Sequence, residues 1–469
     1  MDVVTLSRWQ FAITTLFHIT FPTLTMGLAV YLILAELLWL VRREELYFRL
    51  YRFWVKIFAI HFAVGVVSGI VLEFQFGTNF SRFSQAVANV FAPLMAYEGM
   101  TAFFLEAGFL GIMLFGWNRV PGSVHFAATC LVGLGATFSA FWIMAANSWM
   151  QTPAGYALEG GMIRVVDFWE AIFNPSFPSR LLHMLVASYQ TAAFAVAGIS
   201  AFYLLRGEHA SFFRRSLGLA VVMAVVLSPL QVFLGDHNGL VVARHQPAKL
   251  AALEAHWETN TSGGAGFVVF GIPDEAQERN SSELLVPNML SLLITRSWDG
   301  KVTGLKEFPK QDRAPVAPVF FSFRLMVGIG FLMLMVAVTA GLFWCRGRLY
   351  QSRTMLKVLV AAQPLGFLAT YLGWITSEVG RQPWIVYGIM RTSEGVSPVA
   401  PGAVLWSLCL LLGICGVIGA SYFWYVIRTL RAGPDLRSPI PPLQRPAGMR
   451  PLAEARSQEQ IAQEKTQLP

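Results

Sequence analysis

This sequence predicts an all-α, polytopic membrane protein with about nine transmembrane helices. Three observations carry that expectation. Charged residues make up 13% of the 469 positions and hydrophobic residues 55%, whereas soluble domains carry about a quarter charged residues. Nine stretches are long and apolar enough to cross a bilayer core, which needs roughly 20 residues of helix. Basic residues collect in alternate loops, the charge pattern of membrane proteins.

The nine stretches are 11–41, 53–76, 91–116, 124–147, 181–205, 216–235, 317–345, 355–379 and 403–428. Backbone groups cannot stay unpaired in lipid, so each must be helical. The alternating ten-residue strands of a membrane β-barrel do not occur. The start, Met1-Asp2-Val3-Val4, is not basic, and the run from Phe11 to Val41 exceeds a signal-peptide core of roughly 7–15 residues. It reads as a retained span.

Arg42, Arg43, Arg49, Arg52 and Lys56 follow the first stretch, and Arg206, Arg214 and Arg215 the fifth. Arg346, Arg348, Arg353 and Lys357 follow the seventh, and Arg428, Arg431 and Arg437 the ninth. This places the N-terminus outside and the C-terminus in the cytoplasm, in keeping with an odd helix count. The net charge of +8 belongs to these loops and implies no nucleic-acid partner. Cys130, Cys345, Cys409 and Cys415 lie within or at the end of apolar runs without a CxxC pair. They read as buried thiols.

Four regions follow: spans one to six over 1–235, a polar extracytoplasmic segment over 236–316, spans seven to nine over 317–432, and a tail over 433–469. The polar segment contains Lys249 to Glu258, a stretch of helix-forming composition, which predicts a short surface helix. The tail is rich in Pro, Gln, Glu and Arg and reads as disordered.

Ionisable residues at membrane depth are costly and mark function. The predicted spans contain His18, His61, Glu98, Glu106, His183, Arg324 and Glu378, Arg180 opens the fifth, and Arg381 lies just beyond the eighth. Glu98 and Glu106 are eight residues apart, just over two turns, and so share roughly one face. Histidine and methionine are the usual axial ligands of low-spin haem, and Arg324 lies two residues from Met326. Each residue alone has a plainer explanation. A lone histidine can tie two helices, a methionine can be packing, and a pair of glutamates can line a transporter's proton path. An ion-coupled transporter, with broken helices in paired halves, is therefore the alternative function.

The motifs are more specific. Gly380-Arg381-Gln382-Pro383-Trp384, preceded by Trp374 and Glu378, resembles the GRQPW signature of subunit I of bacterial cytochrome bd-type quinol oxidases. Ser7 to Phe11, Glu73 to Asn79, Asn147 to Gln151 and the quinol-loop-like Lys249 to Glu258 also resemble that family. The similarity runs from about residue 5 to 430.

The resemblance implies a haem-bearing subunit that oxidises ubiquinol or menaquinol at the outer face. It reduces O2 to water with cytoplasmic protons, without pumping. It implies His183 and Met326 as ligands of a low-spin haem b. His18 and Glu378 would ligate a high-spin haem b and either haem d or a further haem b, with Glu98 beside that pair. Lys249 and Glu254 would serve the quinol, with Glu106 and Ser139 on the proton path. Arg324, Trp374 and Arg381 would surround the haems and their propionates. It further implies a second membrane subunit, small accessory subunits and the bacterial inner membrane.

Three features depart from or divide that family. Ala107 stands where serine often follows the glutamate, so water must replace one hydroxyl. His61 stands where an amide is familiar and reads as a core histidine. The segment after Leu305–Phe308 lacks a long insertion, as in the short-loop branch that includes cyanide-insensitive oxidases.

Overall fold

The computed structural model describes residues 1–160, 162–437 and 440. Most of the expected tail lies outside the described residues. Among those described, nine helices are long and apolar enough to cross a membrane: Val3–Arg42, Glu45–Thr78, Ala88–Phe115, Gly122–Gln151, Phe177–Arg206, Ala210–His245, Val316–Cys345, Arg353–Val379 and Pro401–Ala432. They are called the first to ninth spans below.

The ends of the first span follow from its sequence. Asp2 caps it by accepting from the Thr5 backbone N–H at 2.8 Å. Arg43 closes it in the left-handed conformation. The first and fifth spans form the centre of the bundle. Their backbones approach at Gly27, where a Cβ would collide with Ala192 and with the Ser188 carbonyl, as small residues permit between membrane helices. The ninth span is peripheral and exposes Trp406, Val417, Phe423 and Trp424.

Two spans are interrupted. The third runs as α-helix over Ala88–Tyr97, as a π turn over Glu98–Phe103, and as α-helix again over Phe104–Phe115. The eighth divides into Arg353–Ala362 and Leu365–Val379 at Gln363-Pro364, where proline removes a backbone donor.

The sixth span continues to His245, ten residues beyond the apolar stretch. Its polar extension is satisfied by contacts: Ser179 donates to Asn238 at 3.1 Å, and Arg296 pairs with Asp236. The segment up to the seventh span is ordered by a helix, Pro247–Glu254, a hairpin of Phe267–Asp274 with Arg279–Val286, and a helix, Met289–Thr295.

The expected surface helix is a buried one. Every residue from Ala248 to Glu254 is buried, Lys249 and Glu254 at 4% exposure. Its alanines and leucines pack against the sixth and seventh spans, so helix-forming composition here served packing, not solvation.

Candidate functional site

A cavity of about 750 Å³ opens among the first, second, third, fourth and eighth spans. Seven of the twelve predicted site residues line it: His18, Glu98, Glu106, Ser139, Trp374, Glu378 and Arg381. The interior of a bundle is where such membranes proteins and their soluble counterparts build cofactor sites. Lys249, Glu254, His183, Arg324 and Met326 lie outside its wall.

His18 is oriented by a neighbour on the second span. Its Nδ1 lies 3.0 Å from the Ser68 hydroxyl, which itself donates to the Val64 carbonyl at 2.8 Å. The serine has one proton to give, so it accepts from Nδ1–H and leaves Nε2 as the lone-pair nitrogen. A second hydrogen bond of this kind is how ligating imidazoles are held.

Cations gather where the eighth span ends. Arg381 donates to Glu378 at 2.7 Å. Asn147 and Ser377 donate to its other oxygen at 3.1 and 3.2 Å. Arg180 reaches Ser148 and Ser377 at 3.1 Å each and also donates to Asn147. Lys249 donates to Gln151 at 3.0 Å and to the Ser377 carbonyl at 2.9 Å. Burial, then Arg180 and Arg381, hold its ammonium well below the ordinary lysine value, against the pull of Glu378.

Arg180, an ionisable residue opening the fifth span, and Asn147 and Gln151, in a family-like segment, were given no site role from the sequence. A signal existed. Asn147 and Gln151 are four residues apart on one helix face, and Arg180 sits one turn before His183 in a span that must not carry an idle charge.

The Lys249–Glu254 helix has two distinct ends. Lys249 turns inward to the cation cluster. Glu254 accepts from Arg324 at 2.5 Å. That guanidinium also donates to the Val268 carbonyl at 2.7 Å and lies 4.2 Å from the Phe267 ring centroid. The helix between them is unbroken, so the two side chains serve different neighbourhoods.

The acidic side of the cavity is built differently. Ser139 donates to Glu98 at 2.8 Å, and the other Glu98 oxygen is buried and meets no partner at hydrogen-bond geometry among the described residues. Glu73 lies beside Glu98. A Cβ at Gly135 would come within 2.6 Å of Glu106 Cγ. The π turn between the two glutamates is wider than an α turn, which winds Glu106 back toward the cavity that Glu98 faces.

The residues present fit haem. Each proposed His or Met ligand faces a glycine on another span. A Cβ at Gly69 would lie 3.1 Å from His18, at Gly235 3.4 Å from His183, and at Gly373 3.1 Å from the Met326 sulfur. Larger side chains there would crowd a planar group. Nε and one terminal nitrogen of Arg381, and one terminal nitrogen of Arg324, are buried without partners among the described residues. Such orphaned donors suit carboxylates that the chain itself does not supply.

Comparison with known proteins identifies the family. The family profile of cytochrome bd terminal oxidase subunit I matches residues 6–434. The chain is 38% identical over 451 residues to cytochrome bd ubiquinol oxidase subunit 1 of Bacillus subtilis (strain 168), covering 93% of this chain and 95% of that one. It is 34% identical over 510 residues to cytochrome bd-II ubiquinol oxidase subunit 1 of Escherichia coli (strain K12), covering 94% and 99%. The structure of the bd oxidase from Geobacillus thermodenitrificans superposes with a TM-score of 0.86 at 33% identity, over 92% of this chain and 99% of that one. The transporter alternative is thereby set aside, and the interrupted third and eighth spans belong to an enzyme. The chain belongs to the subunit I family of cytochrome bd terminal oxidases, membrane-embedded quinol oxidases.

Proposed function

We propose that this subunit oxidises quinol at the outer face of the bacterial inner membrane and reduces dioxygen in the cavity with protons drawn from the cytoplasm. The observation that carries the reading is the cavity itself. It joins His18 and Glu378 to Glu98 and Glu106 in one enclosure.

His183 and Met326 would hold a low-spin haem b. His18 and Glu378 would hold a high-spin haem b and either haem d or a further haem b. Bound there, the haems supply electron carriage and an open coordination position for dioxygen. Arg381, with its unpartnered nitrogens, and Arg324 would bind propionates. Trp374 lines the cavity wall.

Glu254 accepts a quinol proton as an electron leaves, and Arg324 holds its carboxylate in place. Lys249 serves the same helix from its inner side as a hydrogen-bond donor. Glu106 takes protons from the cytoplasmic side and passes them toward Ser139 and Glu98, with water in the place of a hydroxyl at Ala107. Orientation rests on charge. The long segment after the sixth span lies on the N-terminal side, and the Arg-rich helix ends lie on the other. Release and uptake of protons on opposite faces then separates charge without a pump. The apolar flank of the ninth span suits lipid or the second membrane subunit, and small accessory subunits would add to that assembly.

The test is spectroscopic. The purified complex should show a haem spectrum, and a pyridine haemochrome extract should count haem b against haem d. Met326→Leu keeps the volume and removes the thioether. The low-spin haem should be lost or its potential lowered, with the fold retained. An unchanged reduced spectrum and potential would overturn the assignment.

A further inference from the structure

His61 and Tyr422 form a pair that the reaction above does not use. They come from the second and ninth spans, 361 residues apart, and both are buried, at 2% and 9% exposure. The Tyr422 hydroxyl lies 2.5 Å from His61 Nε2. His61 Nδ1 lies 2.8 Å from the Ile57 carbonyl. A carbonyl can only accept, so Nδ1 carries the imidazole proton. Nε2 is then a lone pair, and the phenol donates to it.

No other tyrosine hydroxyl among the described residues is bonded to an imidazole. Tyr371 is the instructive contrast. Its hydroxyl lies 2.6 Å from Thr20 Oγ1, which donates onward to the Leu16 carbonyl at 3.0 Å. That phenol has a partner but no base. Tyr31, Tyr51 and Tyr203 likewise bond to hydroxyls or carbonyls.

The pair lies close to the cavity, because Phe62, the residue after His61, lines its wall. Tyr422 packs edge-on against Phe21 at 5.1 Å between centroids, and Phe21 against Phe17 at 5.2 Å. Phe17 and Phe21 bracket His18 in the first span. Phe62, Gly65 and Pro22, which neighbour the pair in sequence or across the helix contact, line the cavity wall.

We propose that Tyr422, with His61 as its proton acceptor, is an oxidisable side chain that lends an electron to the dioxygen chemistry in the cavity. This rests on the reading of that cavity as the oxygen site. Cleaving the O–O bond to the level of water consumes four electrons. One leaves Tyr422 for the dioxygen-derived oxidant, and the phenolic O–H breaks as its proton moves to Nε2. The products are a neutral phenoxyl radical and an imidazolium. One quinol-derived electron and return of the same proton restore both groups, so no atom is gained or lost. Moving the proton with the electron matters in this setting, because a cationic tyrosine radical in an apolar interior would be left without solvation. The imidazolium keeps its bonds to the Ile57 carbonyl and the phenoxyl oxygen.

The experiment uses the purified, intact oxidase complex in its oxidised form, mixed with hydrogen peroxide, freeze-quenched and examined by EPR. The expected result is a radical signal whose hyperfine structure narrows when the protein is made with ring-deuterated tyrosine. The signal should fall below detection in Tyr422→Phe with the haem spectrum unchanged. In His61→Asn, which removes the base, it should be lost or altered in g-anisotropy. Absence of a tyrosine-derived signal from the wild-type complex, or its persistence unaltered in Tyr422→Phe, would overturn the inference. Should Tyr422→Phe fail to assemble, the deuterated wild type and His61→Asn decide. A wild-type complex without a haem spectrum would overturn the oxygen-site reading, and the inference with it.

Discussion

The two sides of the cavity hold carboxylates in opposite ways. Glu378 is met by Arg381 and lies in the field of Arg180 and Lys249. Glu98 has a serine hydroxyl and a second carboxylate for company, and among the described residues no cation bonds to it or to Glu106. Cations fix a negative charge in place and orient it, which suits binding an anion or a metal. Carboxylates without cations can exchange protons with whatever reaches them, which suits delivery. One enclosure thus has a side suited to holding and a side suited to transfer.

The comparison can be broken most forcefully at Arg381. Breaking a buried ion pair from one partner costs about 3–5 kcal/mol, so Arg381→Met should destabilise the complex and lower its haem content, read by thermal melting and extracted haem. Wild-type melting and haem content would mean that the cations do not organise the site. Next comes Glu106→Gln, which keeps shape and removes the transferable proton. Oxygen reduction should slow by roughly 10²-fold or more, the usual worth of a positioned acid or base, while the haem spectra stay intact. Normal turnover would move proton entry elsewhere.

Glu254→Ala sharpens the contrast on the quinol side. A hydrogen bond to a charged group is worth about 1.5–3 kcal/mol, so quinol oxidation should fall roughly tenfold or more. Oxygen reduction driven by an artificial reductant should be spared. Equal loss of both activities would remove Glu254 from the quinol step. The smallest effect is expected from Ser139→Ala, which deletes one hydrogen bond worth about 1 kcal/mol. Turnover should drop a few-fold, and a drop as large as that of Glu106→Gln would make the hydroxyl an obligatory relay.

The spans were legible because lipid leaves a chain few choices. Apolar runs such as 317–345 lie within helices such as Val316–Cys345. Boundaries were less legible where polar helix is paid for by contacts, as at Asp236 with Arg296 beyond the sixth apolar run. The residues His18, Glu98, Glu106 and Glu378 stood out because ionisable groups in lipid demand a reason. Arg180 carried the same signal at the edge of its span, and its role became plain only beside Asn147 and Ser377.

Composition and apolar patterning by themselves determined the solvent of this chain, its helical class and its number of crossings, and they marked the ionisable residues at membrane depth as candidates. Each follows from transfer energies, which depend on a residue and its near neighbours. Tertiary structure alone decided who meets whom. It turned Lys249 inward and Glu254 toward Arg324 from one eight-residue helix, and it brought His61 to Tyr422 across most of the chain. Hydrogen bonds and ion pairs act over a few ångströms, and proximity on that scale is set by how the helices pack rather than by the order in which the residues are joined.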